Sequence, residues 1–239
     1  MSGHSKWSTI KHKKAATDKK RGDTFSKMAR LITIAARAGG GDLETNYTLR
    51  SVVDKARSVN MPKDNIERAI KKGTGELAGE QLEELLMEAY GPGGAALLVE
   101  VVTDNRNRSA GDIRHILSQH NGKLATAGSV QWLFERQGVL QLDSAGITDR
   151  DEFELAAIDA GATDIAWEEE RVLIYTTPEQ LQPLQKTIAQ LTPAPSEASL
   201  EWYAKDTVAL DEKTQEQLER LFEALDDHDD VQGVYTNAA

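Results

Sequence analysis

The spacing of the apolar residues changes near Gly73, and this change limits the folds open to the chain more than any other feature. Before Gly73, apolar residues recur every three or four positions, as on one face of an α-helix. After it, short runs rich in Val, Leu and Ile alternate with helical segments, which is the pattern of strands joined by helices. The sequence therefore predicts a small helical part followed by a larger α/β part.

Three helices are predicted before the change in spacing. The first begins near Asp23 and ends at a run of three glycines, 39–41, and the second begins near Thr45 or Asn46. The third has Pro62 in its first turn and ends at Gly73. Helices of this length joined by short loops pack as a small bundle.

Beyond a glycine-rich linker, the pattern strand, helix, strand occurs four times. The eight predicted strands are 96–102, 129–135, 138–142, 162–168, 171–177, 198–203, 206–210 and 230–236. The second and third units are joined by a tight hairpin at 168–170, which makes them halves of one sheet. Four units imply two split βαβ domains of the ferredoxin-like type.

The predicted fold class is therefore α+β: an N-terminal three-helix bundle followed by two split βαβ domains, one inserted in the other. The predicted boundaries are a basic tail at 1–22, the bundle at 23–76, a discontinuous α/β domain at 77–136 and 204–239, and an inserted α/β domain at 137–203. Residues 80–94 fit this scheme least well. Their composition favours a helix, but a GPGG turn leads directly into a strand, so the first arm of a hairpin also remains open.

The charge of the chain is unevenly divided. The net charge is −11, yet residues 1–72 contain 17 Lys and Arg against 7 Asp and Glu, whereas the remainder contains 11 against 32. A positive field confined to one module attracts polyanions, and an acidic remainder keeps the contact in one place. The simpler interpretation is a solvated tail, but the asymmetry extends over a whole folded segment and so indicates a nucleic-acid partner.

The first 22 residues contain most of the candidate phosphate-binding groups. The cations are Lys6, Lys11, Lys13, Lys14, Lys19, Lys20 and Arg21, and His12 lies among them. Trp7 offers a flat face on which a base can stack, or it anchors the tail on the bundle. Neutralisation of about six phosphates would make binding strongly dependent on salt.

Further candidates lie in the first helix and after the first strand of the α/β part. Lys27, Arg30 and Arg37 could extend the basic surface, although solubility alone explains each of them singly. Arg106 and Arg108 lie where a strand ends and a helix begins, and the free amides of a helix start favour anions. The alternative is that this segment only shapes the turn and caps the helix.

The sequence gives little sign of enzymatic chemistry. Cysteine is absent, no nucleophile elbow, P-loop or dinucleotide motif occurs, and His115 and His120 lack the spacing of a zinc pair. Four aspartates surround His228, which is the pattern either of a solvated turn or of a weak cation site. A metal-dependent hydrolase using His228 or Asp104 is the alternative from a different class. We expect no enzymatic activity, no catalytic residue, no metal and no cofactor.

Several long motifs closely resemble the YebC/PmpR family of probable transcriptional regulatory proteins, which has mitochondrial relatives that act as translational activators. They are GHSKWSTIKHKKAATDKKRG, FSKMARLITIAARAGGGD, NMPKDNIERAIKKGTGE, YGPGGAALLVEVVTDNRNRSAGDIR and LDDHDDVQGVYTN. The resemblance implies a helical bundle with two α/β domains, one inserted in the other, and a strand at 80–90. It also implies a cytoplasmic DNA-binding transcriptional regulator, while some members are linked to ribosomes and to relief of stalling at proline-rich stretches.

The expected function is a cytoplasmic, nucleic-acid-binding regulator of gene expression, with DNA as the first target. The alternative is a translation factor that binds ribosomal RNA, and thus the ribosome, through the same residues. No run of apolar residues is long enough to span a bilayer, so no membrane partner is expected. Nor does the sequence indicate a small-molecule substrate.

Overall fold

The structure of the protein is a computed structural model that describes residues 18–78, 81–192 and 197–239, with the backbone alone at 18–21. The chain divides into two compact units. The first comprises residues up to 135 together with 203–239, and the second comprises residues 136–202. The first unit thus contains both the helical bundle and one α/β sheet.

Three helices form the bundle, as the apolar spacing predicts. They are α1 (Asp18–Gly39), α2 (Tyr47–Ser58) and α3 (Lys63–Gly73). Their shared core includes the fully buried side chains of Ile32, Leu49 and Val53. The predicted start of the first helix at Asp23 is wrong, because α1 begins at Asp18, within the segment assigned to the basic tail.

A buried amide joins the end of α1 to the start of α2. Asn46 caps α2 by accepting a hydrogen bond from the Leu49 amide at 3.0 Å. Its side-chain nitrogen donates to the carbonyls of Ala35 and Gly40, both at 2.8 Å. One side chain therefore satisfies an orphan amide of one helix and carbonyls at the end of another, which confirms the predicted start of the second helix.

The end of α3 lies directly against α1 at Gly73. A β-carbon at this position would lie 2.4 Å from the Thr33 carbonyl oxygen and 2.6 Å from the β-carbon of Ala36. Thr33 is itself buried, and its hydroxyl donates to the Ala29 carbonyl at 2.8 Å and lies 3.2 Å from that of Ala69. Glycine at position 73 therefore permits a close approach between two helices that any larger residue would prevent.

The α/β part contains two four-stranded sheets. Its elements in chain order are β1 (Glu83–Tyr90), β2 (Ala96–Thr103), α4 (Arg106–Gln119), β3 (Lys123–Leu124), β4 (Phe134–Asp143), α5 (Arg150–Asp159), β5 (Asp164–Trp167), β6 (Arg171–Thr176), α6 (Leu181–Leu191), β7 (Glu197–Ala204), α7 (Glu212–Asp226) and β8 (Val231–Thr236). The strand orders are β3-β1-β2-β8 and β5-β6-β4-β7. These sheets and the N-terminal helices confirm the predicted α+β class.

The second sheet has the split βαβ arrangement. Strands β4 and β5 each pair antiparallel with β6, which lies between them, so β4 and β5 run parallel and are joined by α5. The hairpin between β5 and β6 is closed by a hydrogen bond from the Glu168 amide to the Arg171 carbonyl at 2.8 Å. Phe153, Leu184 and Ile188 lie among the buried residues under this sheet. The hairpin predicted at 168–170 is therefore confirmed.

The first sheet begins with a hairpin of β1 and β2, so residues 83–90 form a strand despite their helical composition. Leu85, Met87 and Ala89 alternate toward the core, which is the strand periodicity of two. Strand β2 and the short β3 flank β1 on either side, and α4 connects them. The strand implied by the family resemblance is confirmed here, and the helical alternative is wrong.

Two predicted strands of the outer domain are absent from the described sheets. In residues 129–135, Gln131–Leu133 form a 3₁₀ turn, and Phe134 begins β4, which belongs to the other sheet. Residues 206–210 contribute only an isolated bridge, between Val208 and Ala238. A strand forms only where a neighbouring strand offers an edge to pair with, and apolar composition alone does not show whether such an edge is present. Both predictions were therefore wrong.

A buried carboxylate explains the turn before β4. Glu88 is 5% exposed and accepts hydrogen bonds from the amides of Gly128, Val130 and Gln131. Burial alone raises the pKa of Glu88, but these backbone hydrogen bonds outweigh it and hold the pKa below its usual value. The amides that a strand would have offered to a neighbour are used by this side chain instead.

Candidate nucleic-acid interface

Most of the predicted phosphate-binding groups of the tail cannot be placed. Lys6, Trp7, Lys11, His12, Lys13 and Lys14 lie outside the described residues. Lys19, Lys20 and Arg21 lie within the backbone of α1, and their side chains are outside the described part. Their role in binding therefore stays a prediction.

The predicted site residues Arg30 and Arg108 meet at one carboxylate, that of Asp230, although they are far apart in the sequence. Arg30 extends from α1, and its Nη1 lies 2.8 Å from Oδ1 of Asp230. Arg108 extends from the first turn of α4, and its Nη2 lies 3.2 Å from Oδ2 of the same side chain. Asp230 lies just before β8 and its side chain is 3% exposed. We name these three residues the Asp230 cluster.

Hydroxyl groups complete the coordination of the Asp230 carboxylate. Ser109 is buried, and its hydroxyl donates to Oδ2 of Asp230 at 2.6 Å. The same hydroxyl lies 2.8 Å from that of Thr103, at the end of β2. The backbone carbonyl of Asp230 accepts from the Val102 amide at 2.8 Å. Asp230 therefore ties α1, α4 and β2 together within the first unit.

The electrostatics of the Asp230 cluster favour its charged form. Burial on its own raises the pKa of Asp230, but hydrogen bonds from Ser109 and Arg108, with the charge of Arg30, hold the pKa below its usual value. Correspondingly, hydrogen bonds to Asp230 and Asp104 raise the pKa of Arg108. Arg108 also lies 2.6 Å from the carboxylate of Asp104, so the two guanidinium groups are balanced by two carboxylates within the protein.

The other predicted cations of α1 also have partners inside the protein. The Lys27 amino group donates to the carbonyl of Asp226 and lies 3.6 Å from its carboxylate. Arg37 donates to the carbonyl of Leu82 at 2.7 Å. Arg106 differs, because it is exposed at the start of α4 and remains accessible to a ligand. The sequence could have indicated the α1 contacts, since the aspartates at 226–230 complement a basic helix.

The acidic turn around His228 connects α7 to β8 and contributes to the fold. His228 Nδ1 accepts from the Asp230 amide at 3.1 Å, and Nε2 lies 3.5 Å from Asp112. Within the described ranges, no three His, Asp or Glu side chains converge in a way that could hold a metal ion. The turn therefore has a structural role, whereas the sequence pattern indicated either a solvated turn or a weak cation site.

Helix α3 carries cations that sequence reasoning counted but did not select as a site. Arg68, Lys71 and Lys72 are exposed, and among the described residues no carboxylate lies within ion-pair distance of them. The only acidic groups on this helix are Asp64 and Glu67, and Glu67 lies 3.5 Å from Lys63. The last two turns of α3 therefore present an open positive surface.

A groove of about 360 Å³ lies between α1 and α3, beside these cations. Phe25 and Met61 form apolar parts of its lining, and Ala29, Thr33 and Ala69 also line it. Its polar lining is Ser26, Arg30, Asn65, Arg68 and Lys72. The groove thus combines apolar surface with several positive and hydrogen-bonding groups, which suits an anionic ligand with a flat apolar part.

Comparisons with known proteins cover nearly the whole chain. Residues 5–76 match a family model described as the TACO1/YebC protein N-terminal domain, and residues 82–238 match one described as the TACO1/YebC second and third domain. Probable transcriptional regulatory proteins of Fervidobacterium nodosum and Desulfotalea psychrophila are 50% and 51% identical over 99% of this chain, and over 93% and 95% of their own lengths.

A solved structure is also similar. The crystal structure of a conserved hypothetical protein from Aquifex aeolicus shares 43% identity with this chain and superimposes with a TM-score of 0.89. The match covers 98% of this chain and 97% of that one. No helix in the described part of the chain is both long and apolar enough to cross a membrane.

Proposed function

The chain belongs to the TACO1/YebC family, and from this premise we propose that it is a nucleic-acid-binding regulator of gene expression. The names of its bacterial relatives, probable transcriptional regulatory proteins, make DNA the first target to consider, in the role of a transcriptional regulator. The proposal depends on one observation: Arg68, Lys71 and Lys72 of α3 are exposed and have no carboxylate partner among the described residues. Such groups bind phosphates through charge and release of counterions.

The distribution of charge supports the same proposal. The bundle and tail are positive, and the rest of the chain is strongly negative. A polyanion is therefore attracted to α3 and to the tail and is repelled by most of the α/β part, which concentrates the contact on the bundle and the tail. We include the tail lysines and Arg106 in the proposed contact surface. Lys27, Arg30 and Arg108 are left out because they form ion pairs within the protein.

Ribosomal RNA is the second candidate target. The groove beside Arg68 and Lys72 is lined by Phe25, an aromatic side chain of the kind on which unpaired bases stack. Unpaired bases are abundant in folded RNA and absent from intact duplex DNA. The two targets can be separated by measuring the affinity for duplex DNA and for a ribosomal RNA fragment at the same salt concentration.

The proposal is tested by titrating both nucleic acids with the full chain and with a variant lacking residues 1–17. This deletion removes four lysines and leaves α1 in place. We expect weaker binding and a log–log salt slope shallower by about 4, roughly one for each lysine removed. The matched control is the double variant Lys186→Ala, Lys213→Ala in the acidic part, which should bind as the wild type does.

An unchanged affinity and salt slope after the deletion would remove the tail from the proposed surface. Failure of the full chain to bind either nucleic acid at low salt would contradict the proposed function itself.

A further inference from the structure

We propose that the groove between α1 and α3 binds a single unpaired nucleotide of a nucleic-acid strand. This inference rests on the proposed function and deepens it, since it specifies the form of nucleic acid that the bundle prefers. It assigns a base to the apolar lining of the groove and a phosphate to the cations at its edge.

The cations of the groove suit a phosphate. Arg68 and Lys72 are four residues apart on α3, so they lie one above the other on the same helix face. Arg30 also lines the groove, but its guanidinium is held by Asp230. Arg68 and Lys72 therefore remain available to a ligand, and a guanidinium beside an ammonium group is a common arrangement for phosphate oxygens.

The remaining lining suits a base. Phe25 is half-buried in the bundle, and the part that lines the groove offers aromatic surface for stacking. Asn65 is also half-buried, and its side-chain amide makes no hydrogen bond with the described residues. A free side-chain amide supplies N–H donors and a carbonyl acceptor, the combination that reads the edge of a base. Met61 adds an adaptable apolar wall.

The size of the groove limits what can enter it. A volume of about 360 Å³ lies at the small end of the range found for ligand sites in proteins. It suits one base with its phosphate. A base stacked and paired within a duplex cannot reach such a groove without being extruded, which costs free energy. Single strands, loops and locally melted segments are therefore favoured over duplexes.

The test compares a labelled single strand with the duplex of the same mixed sequence, by fluorescence anisotropy with the full chain at low salt. We expect the single strand to bind about 10-fold more tightly, as one stacked base would provide. The variant Ser26→Trp places a large side chain at the exposed rim of the groove and leaves the charge unchanged. This variant should reduce the ratio of single-strand affinity to duplex affinity to about one, while the affinity for the duplex is retained.

A control variant and a second groove variant complete the test. Ser58→Trp is the matched control, because Ser58 is an exposed serine on α2 that does not line the groove; it should retain the preference. Asn65→Ala should weaken single-strand binding without filling the groove, which tests the proposal even if Ser26→Trp does not fold. Folding of each variant is checked by circular dichroism.

The outcomes separate the two proposals. Equal affinity for single strand and duplex, with Ser26→Trp and Asn65→Ala without effect, would overturn the groove assignment and leave the proposed function standing. Binding of AMP to the wild-type protein, without any preference for the single strand over the duplex, would reassign the groove to a free mononucleotide and also overturn the assignment. Absence of binding to every nucleic acid would contradict the proposed function.

Discussion

Helices α1 and α3 belong to the same bundle and are both basic, yet their cations are used differently. Lys27 and Arg30 of α1 contact the acidic turn at 226–230 of the same unit. Arg68 and Lys72 of α3 have no acidic partner among the described residues and border a groove. The comparison shows that a basic residue in a basic segment is a binding candidate only if the fold leaves its charge unpaired.

The physical reason for the difference is burial. Asp230 is almost inaccessible to solvent, so its charge requires partners within the protein. Arg30 and Arg108 supply them, and removing either leaves a poorly compensated carboxylate. Around Arg68 the surface is exposed, so the side chain is solvated and its charge remains available for long-range attraction.

Removing the central carboxylate should produce the largest effect. Asp230→Ala leaves Arg30 and Arg108 without their shared partner, and we expect the free energy of unfolding to fall by about 3 kcal/mol in a urea titration. Asp229→Ala is the matched control, because Asp229 lies in the same turn and is exposed, and it should change stability by less than about 0.5 kcal/mol. Equal effects of the two substitutions would show that Asp230 does not stabilise the fold.

The two helices can be compared directly by single substitutions of arginine. Arg30→Ala should lower the free energy of unfolding by about 1 to 2 kcal/mol, because it removes a charged hydrogen bond to a buried acceptor. Arg68→Ala should leave stability within about 0.5 kcal/mol of the wild type. Thermal or urea unfolding measures both. The comparison fails if Arg68→Ala destabilises the protein as much as Arg30→Ala.

Acidification should produce a smaller, graded effect. The pKa of Asp230 is lowered by folding, so its contribution to stability is present above the ordinary Asp pKa of about 3.9 and is lost as the pH falls through that value toward the folded-state pKa. Asp230→Asn lacks this titration. The stability difference between wild type and Asp230→Asn should therefore narrow between about pH 5.5 and about pH 3.

The urea unfolding midpoints of the wild type and of Asp230→Asn, measured across this pH range, show how their stability difference changes. A difference that stays constant or widens on acidification would mean that the charge of Asp230 does not stabilise the folded state.

Much of the fold follows from the local sequence. The helices of the bundle follow from apolar spacing and from Asn46, which caps α2 through the nearby Leu49 amide. Gly73 ends α3 as the sequence predicts, but its close contact with Thr33 and Ala36 of α1 is not local. Strand β1 does not follow from the local sequence, because its residues favour a helix and form a strand only by pairing with β2. The one local sign of a strand was the alternation of Leu85 and Met87. The turn at 128–131 depends on Glu88, a distant residue that no local pattern identifies.

The candidate site was less predictable than the fold. The excess of cations in the first 72 residues correctly located positive charge, but composition could not distinguish Arg30 from Arg68. That distinction depends on where Asp230 lies in three dimensions. The groove beside α3 depends on the separation of two helices, which the apolar pattern does not specify.

The most direct test of the division between α1 and α3 is the salt dependence of nucleic-acid affinity in two double variants. The α3 variant combines Arg68→Ala with Lys72→Ala, and the α1 variant combines Lys27→Ala with Arg30→Ala. Each removes two cations from the bundle, and both are measured under conditions in which they are folded. We expect this division to make the log–log slope shallower by about 2 for the α3 variant and to leave it unchanged for the α1 variant. Equal changes in both variants, or a larger change for the α1 variant, would contradict it.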